Sequence, residues 1–268
     1  MQVSCIIPTR NRRDMVITAI ESALAQDEYQ PEIVVVNDGS TDGTERSILK
    51  RFPQVKLVST PGLGPGLARN EGAVAAGGDV LMFLDSDDKW LPFHVKSLIQ
   101  MLQKGFHVAY GVTMTRDLLL QKEFFIPEVG EEVSGDCFKS LTKWCFMVPS
   151  SVAVTRSAFE SVGGFGQGRI GEDWVFFLKL SCRYPFGFVP KVISHRILHG
   201  GSLCCLQNGC MEIQKALRRI MEFLQTSGKA KPEDLDRIER MQLFTFEGRH
   251  RWRTVQEWYT SMKMQGLV

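Results

Sequence analysis

The amino-acid sequence predicts an α/β protein built around a mostly parallel sheet. In residues 1–105, short and very apolar segments alternate with stretches that have the 3.6-residue period of a helix. Strands that alternate with helices form β-α-β units, and strands that are apolar throughout are covered on both faces. These strands also end in polar residues: Thr9-Arg10-Asn11, Asn37-Asp38 and Asp85-Ser86-Asp87-Asp88. Because ligands bind beyond the carboxyl ends of such strands, we expect these side chains to converge on one site.

The elements of this first half follow from the apolar spacing and from the turn residues between segments. Pro8 ends the first strand, Asn37-Asp38-Gly39-Ser40 ends the second, and the loop 60–66 follows the third. Ser40 or Thr41 is expected to cap the second helix. The predicted strands are Val3–Ile7, Glu32–Val36, Val55–Val58 and Asp79–Leu84, and the predicted helices are Asn11–Ala25, Asp42–Phe52, Leu67–Ala76 and Trp90–Gln103.

The second half has a looser pattern and ends in a helical extension. Residues 118–137 are predicted to form a loop or a hairpin. We divide the chain into a domain over 1–206, with halves 1–105 and 106–206, and an extension over 207–268. The predicted strands are Val108–Thr115, Val152–Thr155 and Phe188–Ile193, and the predicted helices are Glu172–Cys182, Gln207–Leu224, Pro232–Phe246 and Thr254–Met264.

Composition excludes several classes of protein. The 268 residues are 44% hydrophobic and 23% charged with a net charge of +2, which argues against disorder and against a strong field for nucleic acid. We expect no membrane span, because no run approaches the ~20 apolar residues it needs. No secretory leader opens the sequence, and its seven cysteines are odd in number and irregular in spacing, so we expect a reduced, cytoplasmic protein. Cys204, Cys205 and Cys210 lie near His195 and His199, but a zinc site is disfavoured because no Cys-x2-Cys spacing is present.

Three carboxylates, Asp85, Asp87 and Asp88, follow the fourth predicted strand within four residues. A solvated turn is the simplest interpretation of such a cluster. However, like charges this close repel unless a cation joins them, and an Asp-x-Asp pair suits a hard divalent ion that shares its ligands with a diphosphate. The position at the end of a buried strand favours Mg²⁺ or Mn²⁺ binding.

Five segments, in order, resemble the inverting glycosyltransferases of family 2, which have the GT-A fold. They are SCIIPTRNR, VVVNDGSTDGT, GLARNEGAVAAGGDVLMFLDSDD, VGGF and GEDWVFFLKL, and the resemblance covers about residues 1–205. Each segment alone is weakly specific, whereas five in this order, with the acidic cluster closing a strand, are strongly so. The resemblance implies a GT-A sheet flanked by helices and transfer of a sugar from a nucleotide-sugar.

The resemblance also implies which residues hold the nucleotide. Pro8, Thr9 and Arg10 would line the base, and Asp38 would accept a hydrogen bond from a uracil-type N–H. The alternative for Asp38 is an Asx turn within its own segment. Arg69 would either face the nucleotide or pair with a surface acid.

The same resemblance assigns the metal ligands to Asp85-Ser86-Asp87 and to a later histidine. Asp85 would contact the ribose or the metal shell, Ser86 would lie against the nucleotide, and Asp87 would ligate Mn²⁺ or Mg²⁺. Asp88 could replace either carboxylate in a shifted register. His199 would reach the metal or a phosphate.

Glu172-Asp173 matches the paired acids of the family, of which one acts as the base. Direct displacement at the anomeric carbon needs a group that takes the proton of the acceptor. Asp173 is our prediction for this base, with Glu172 as the alternative. Without the other motifs, two acids at the start of a helix would simply interact favourably with the helix dipole.

These observations together predict an inverting glycosyltransferase that moves a sugar from a UDP-sugar to a glycan or a lipid-linked acceptor. One alternative is a GT-A-like domain that binds nucleotide or glycan without turnover; a weaker one is a haloacid-dehalogenase-type phosphatase, suggested by FLDSD. The basic and aromatic run 249–253 is best explained as a solvated helix end, with peripheral contact to anionic lipid at the inner face of a membrane as the other interpretation. No pattern indicates the sugar, the acceptor or the oligomeric state.

Overall fold

In the computed structural model, residues 1–203, 211–247 and 255–268 are described, and nine strands among them form one mixed sheet with helices on both faces. The strands are β1 Val3–Thr9, β2 Glu32–Asp38, β3 Lys56–Thr60, β4 Val80–Phe83, β5 Lys89–Trp90, β6 Val108–Asp117, β7 Lys122–Ile126, β8 Val152–Thr155 and β9 Phe186–Leu198. The helices are α1 Arg13–Leu24, α2 Thr44–Arg51, α3 Pro65–Ala75, α4 His94–Leu102, α5 Phe138–Leu141, α6 Arg156–Ser161, α7 Glu172–Ser181, α8 Met211–Thr226, α9 Pro232–Glu247 and α10 Val255–Met264. A short 3₁₀ turn over Pro149–Ser151 precedes β8.

The order of strands across the sheet is β3-β2-β1-β4-β8-β6-β9-β5, and β7 pairs with β6 outside this path. The β3-β2-β1-β4 half is parallel throughout, as the β-α-β pattern predicts. The other half is mixed, because β8 runs antiparallel to both β4 and β6, whereas β9 runs parallel to β6. The predicted class, a mostly parallel sheet flanked by helices, is therefore confirmed, and the second half supplies its antiparallel part.

Alternating residues of the central strands build two cores, one on each face of the sheet. Ile6 and Val34 point to one side, and Cys5, Ile7 and Val35 point to the other. Each is essentially inaccessible to solvent. Because both faces of these strands are buried, their sequences read as continuous apolar runs, which is what made the strands recognisable.

The helical extension packs onto one of these two cores. Ile213, Leu217 and Ile220 of α8 and Trp258 and Met262 of α10 belong to the same cluster as Ile6 and the aromatic side chains of α7. The extension is thus a continuation of the main hydrophobic core.

The predicted cap of α2 and the predicted start of α4 are wrong. Helix α2 begins at Thr44 after Gly43, whose φ is +83°, and neither Ser40 nor Thr41 caps it. The hydroxyl of Ser40 instead accepts the backbone N–H of Asn11 at 2.9 Å.

The helix predicted from Trp90 begins only at His94. Lys89 and Trp90 form the short strand β5 against β9 instead. Pro92 disfavours helical backbone at the residue before it, which separates β5 from α4.

The hairpin alternative for residues 118–137 is confirmed by the pairing of β7 with β6. None of the helices in the described part of the chain is both long enough and apolar enough to span a bilayer.

Candidate active site

A cleft of about 680 Å³ lies at the carboxyl ends of β1, β2 and β4. This is the edge where the sequence predicted convergence. Its lining includes the predicted residues Pro8, Thr9, Arg10, Asp38, Arg69, Asp85, Ser86, Asp87, Asp88, Glu172 and Asp173. His199 joins them through Asp87, since its Nε2 lies 3.3 Å from Asp87 Oδ2.

A buried arginine ties the two acidic motifs of the cleft together. Arg69, in α3, is 3% exposed. Its Nη2 lies 2.6 Å from Asp85 Oδ1 after β4, and its Nη1 lies 3.0 Å from Glu172 Oε1 at the start of α7. Of the two alternatives for Arg69, pairing with an acid is observed. The acids are not on the protein surface as that alternative expected: both line the cleft, and Glu172 is buried.

The contact between α3 and α7 depends on a glycine one turn before Arg69. A Cβ at Gly66 would lie 2.4 Å from the carbonyl oxygen of Gly166 and 2.9 Å from Cγ of Glu172. Real side chains do not approach this closely, so only glycine lets α3 come near enough for Arg69 to reach Glu172.

The paired acids Glu172 and Asp173 have different environments. Burial, with the nearby charge of Asp173, raises the pKa of Glu172 to about 7 against the opposing effect of Arg69. Burial also raises the pKa of Asp173, while the charge of Arg69 and the backbone N–H of Trp174 oppose it. Glu172 is engaged by Arg69, whereas Asp173 remains partly exposed on the cleft wall. The geometry therefore favours Asp173 over Glu172 as the group that meets a substrate.

Asp87 lies between the side chains of an arginine and a histidine. Arg12 Nη1 lies 2.7 Å from its Oδ1, and His199 Nε2 faces its Oδ2. Burial would raise the pKa of Asp87, but the hydrogen bond with His199 and the charge of Arg12 hold it below the ordinary value. Arg12 also donates to the carbonyl oxygen of Gly201 at 3.3 Å, so it links the loop after β9 to the acidic motif.

The residues present fit a divalent ion only in part. Among the described residues, no group of three or more His, Cys, Asp and Glu side chains is arranged to hold a metal, so the predicted trio of Asp85, Asp87 and His199 is not assembled. The reason is that Arg69 draws Asp85 to the other side. Asp87 and His199 do lie together, and one or two protein ligands suffice when substrate phosphates supply the rest. The Nδ1 of His199 accepts the N–H of Gly201 at 3.1 Å, so ligation through Nε2 requires the ring to change its tautomer.

Asp88 is buried and turned away from a metal-binding role. Its Oδ2 accepts the hydroxyl of Ser150 at 2.6 Å. Burial and the charges of Asp87 and Asp85 raise its pKa well above the usual range. Asp88 therefore does not replace Asp85 or Asp87 as a ligand, because its carboxylate is bound by Ser150 of the 3₁₀ turn before β8.

Asp38 holds the glycine-rich loop before α3. Its Oδ1 accepts from the Thr60 hydroxyl at 2.6 Å and from the N–H of Gly62 and Leu63 at 3.1 and 2.7 Å, and its Oδ2 accepts from the N–H of Gly64 at 2.9 Å. The Asx-turn alternative is wrong for Asp38, since Asn37 makes that contact by accepting the N–H of Ser40. Base recognition by Asp38 stays a prediction, with Oδ2 as the less occupied oxygen.

Thr9 and Arg10 lie where β1 enters the cleft. Thr9 is 3% exposed, and its hydroxyl has no hydrogen-bond partner within the described ranges 1–203, 211–247 and 255–268. The guanidinium of Arg10 lies against the glycine-rich loop, 3.1 Å from where a Cβ of Gly62 would be. A buried hydroxyl of this kind is suited to a ligand group that enters the cleft.

Sequence reasoning missed Arg12 and Ser150 of the site, whereas it had considered Arg196 as a group that could offset phosphate charge. The charge of Arg196, from β9, acts on Asp87, Asp88 and Asp173. Arg12 binds Asp87, and Ser150 binds both Asp88 and the N–H of Asp85. Only the RNR run gave a sequence signal for Arg12, whereas Ser150 is brought in by tertiary pairing. Cys204, Cys205 and Cys210 of the disfavoured zinc site and the run 249–253 lie outside the described residues.

Comparison with solved structures defines the class. The chain superposes on Staphylococcus aureus TarS 1–349, determined in complex with UDP-GlcNAc, with a TM-score of 0.66 and 19% identity over 91% of this chain and 72% of that one. A second structure of TarS 1–349, in complex with UDP, gives a TM-score of 0.64 over 94% of this chain and 73% of that one. The fold of this chain is therefore the GT-A fold.

The sequence comparisons then give the family. The model for glycosyl transferase family 2 matches residues 4–124. An uncharacterized glycosyltransferase of Nostoc is 32% identical over 60% of this chain, and chondroitin synthase of Escherichia coli is 27% identical over 91% of it. The match to the glycosyl transferase family 2 model covers residues 4–124, and the similarity to chondroitin synthase extends further along the chain. It spans only 53% and 36% of the lengths of these two relatives. The haloacid-dehalogenase alternative has no support in the fold or in these matches.

Proposed function

We propose that this protein transfers a sugar from a UDP-sugar to a hydroxyl of an acceptor, with inversion at the anomeric carbon. The single observation that carries the proposal is Arg69, which joins Asp85 of the Asp-x-Asp motif to Glu172 of the paired acids at 2.6 and 3.0 Å. This pairing would hold a donor site and the neighbouring base, Asp173, at a fixed separation in one cleft. The UDP-GlcNAc complex of TarS supports a UDP-linked donor.

The nucleotide would lie at the carboxyl ends of β1 and β2. Thr9 offers its buried hydroxyl there, and Pro8 and Arg10 flank it. The glycine-rich loop donates three backbone N–H groups to the carboxylate of Asp38. Asp38 would therefore hold this loop in position against the nucleotide base. The diphosphate would meet the positive charges of Arg12 and Arg196, which balance the acidic motif.

Asp173 would act as the base. Its carboxylate takes the proton of the acceptor hydroxyl as the acceptor oxygen forms its bond to the anomeric carbon. The bond from that carbon to the diphosphate oxygen breaks, and its electron pair leaves with UDP. A raised pKa suits this role, because it brings the proton affinity of the carboxylate closer to that needed at neutral pH. Glu172, held by Arg69, would keep the start of α7 in place.

A divalent ion, Mn²⁺ or Mg²⁺, would be held by Asp87 and His199. When bound, it would stabilise the negative charge of the departing diphosphate. Arg12 already neutralises Asp87 on its other oxygen and would remain available to the phosphates.

The test combines binding with turnover. Titration calorimetry with UDP, with and without Mn²⁺, should show binding that Mn²⁺ strengthens, and a UDP-release assay with a panel of UDP-sugars should show turnover. Asp173→Asn should retain UDP affinity and lose at least about 100-fold in turnover, the lower end of the contribution of a general base.

Asp14→Asn is the matched control, because Asp14 is an exposed first-turn acid of α1 and its loss changes a helix N-terminus in the same way. Full turnover by Asp173→Asn would move the base elsewhere. UDP binding without release or transfer from any UDP-sugar would leave the alternative of a binding protein without turnover.

A further inference from the structure

The C-terminal extension forms part of the cleft wall, although it lies outside the residues that the family model matches. The side chains it contributes are Ile213, Ala216 and Leu217 of α8 and Val255, Gln256 and Trp258 of α10. All but Gln256 are apolar. This end of the cleft therefore differs in chemistry from the charged end at β1, β2 and β4.

Aromatic rings dominate this end and are locked together. Trp144 stacks on Tyr259 with ring centroids 3.9 Å apart and 17° between planes. It also packs against Trp174 at 5.6 Å and Trp258 at 6.0 Å. The hydroxyl of Tyr259 donates to Glu131 at 2.9 Å, which fixes α10 against the loop after β7. We name Trp144, Trp174, Trp258 and Tyr259 the aromatic wall.

The aromatic wall adjoins the proposed base. Trp174 directly follows Asp173 in α7, and its indole N–H donates to the carbonyl oxygen of Leu141 at 2.6 Å. Trp144 and Asp173 line the same cleft, so a group resting on Trp144 would have access to the carboxylate that would deprotonate it.

Helix α8 packs against the start of α7 and the residues just before it. A Cβ at Gly171, the residue before Glu172, would lie 2.7 Å from Cβ of Ala216, so α8 packs directly on the start of α7. Arg219 of α8 donates to the carbonyl oxygen of Ile170 at 2.5 Å. The extension therefore supports the segment that carries the paired acids as well as lining the cleft.

We propose that the exposed part of Trp144, supported from behind by the buried rings of Trp174, Trp258 and Tyr259, is the acceptor subsite and that it takes a pyranose ring of a glycan, an inference that rests on the proposed function. A pyranose has an apolar C–H face and a polar hydroxyl rim. The exposed part of Trp144 would meet the face, the amide of Gln256 would meet the rim, and the carboxylate of Asp173 lines the same cleft. Charged side chains concentrate at the donor end, so the wall itself selects for an uncharged, ring-shaped group.

The experiment uses the full chain, UDP and a panel of p-nitrophenyl pyranosides as probes. Binding of each probe in the presence of saturating UDP is measured by calorimetry, and transfer is measured with the UDP-sugar found active. Trp144→Leu should weaken probe binding and raise the acceptor KM by about tenfold, the scale of a lost aromatic stacking contact. Trp144→Tyr should restore most of the affinity, and Gln256→Ala should weaken it without affecting folding. The Kd for UDP should stay within about twofold in each variant, since the wall is away from the donor end.

Phe93→Leu is the control, because Phe93 is a partly exposed aromatic residue outside the cleft lining. If the unmodified protein binds no pyranoside when UDP is present, or if Trp144→Leu and Gln256→Ala leave the acceptor affinity unchanged, the subsite is wrong. The subsite is also wrong if both variants weaken UDP binding by the same factor as they weaken pyranoside binding. Failure of the unmodified protein to bind UDP would instead refute the proposed function.

Discussion

Arg69→Met tests whether the buried ion pairs hold the two halves of the cleft together. Methionine keeps the unbranched apolar stem of the side chain and removes its charge and its donors. Arg69 is 3% exposed, and Glu172 beside it is buried as well, so the substitution leaves a buried carboxylate without its cation. Removing one partner of a buried pair costs about 3–5 kcal/mol. For a chain of this size, that predicts a fall in Tm of roughly 6–20 °C.

The loss should depend on pH, with a definite sign. Burial raises the folded-state pKa of Glu172 to about 7 from 4.5, and without Arg69 it would rise further. A carboxyl group with a raised folded-state pKa contributes stability that is present below about pH 4.5 and is lost as the pH rises through about 7. In Arg69→Met, Glu172 can stay neutral at about pH 5.5. At about pH 8 it must either ionise without a cation beside it or keep its proton through a further rise in its pKa. The destabilisation should therefore be larger at pH 8.

Urea unfolding followed by tryptophan fluorescence at both pH values measures this difference. Glu172→Gln in the background of Arg69→Met should recover part of the loss, because a neutral amide needs no cation. Arg51→Met is the control, since Arg51 forms an exposed pair with Glu21 that is worth only about 0.2–1 kcal/mol. A loss for Arg69→Met below about 1 kcal/mol at pH 8, or an equal loss at both pH values, would refute the reasoning.

Two further substitutions probe the frame of the donor site. Gly72→Ala should destabilise the protein by about 1–3 kcal/mol in urea unfolding, because its Cβ would lie 2.4 Å from Cγ2 of Ile6; Gly77→Ala, with no neighbour nearer than 3.7 Å, should be close to neutral. Asp38→Asn should cost about 1.5–3 kcal/mol at pH 7. Burial raises the pKa of Asp38, but its four hydrogen bonds outweigh burial and hold the pKa below 3.8. The difference in unfolding free energy between Asp38→Asn and the unmodified protein should therefore shrink as the pH falls below about 4. An unchanged Tm for Gly72→Ala, or a difference for Asp38→Asn that grows in acid, would contradict these expectations.

The strands and the edge of the sheet that carries the site were predictable because local chemistry encodes them. Continuous apolar runs over β1, β2 and β4 follow from burial on both faces, and the polar residues after each strand mark its carboxyl end. The helix start at His94 and the cap of α2 were not, because the pairing of β5 with β9 and the contact of Ser40 with Asn11 compete with the local pattern.

The partners of individual side chains were the least predictable feature of the site. Arg69 and Glu172 are 103 residues apart in sequence, and Ser150 reaches Asp88 across 62 residues. Nothing in the motif LARNEG distinguishes an arginine that faces a ligand from one that pairs with a buried acid. Asp38 likewise had two local interpretations, and the loop that binds it lies more than twenty residues away.

The sequence by itself determined the alternation of strands and helices, the polar strand ends and the motifs shared with a family, since each depends on residues close together in the chain. Only the tertiary structure decided that Asp85 turns to Arg69 while Asp87 turns to Arg12 and His199, and that α8 and α10 return to line the cleft. The physical reason is that charge pairing and ring packing act through space. Their strength depends on burial and on distance between segments, and neither quantity is written in any single stretch of the chain.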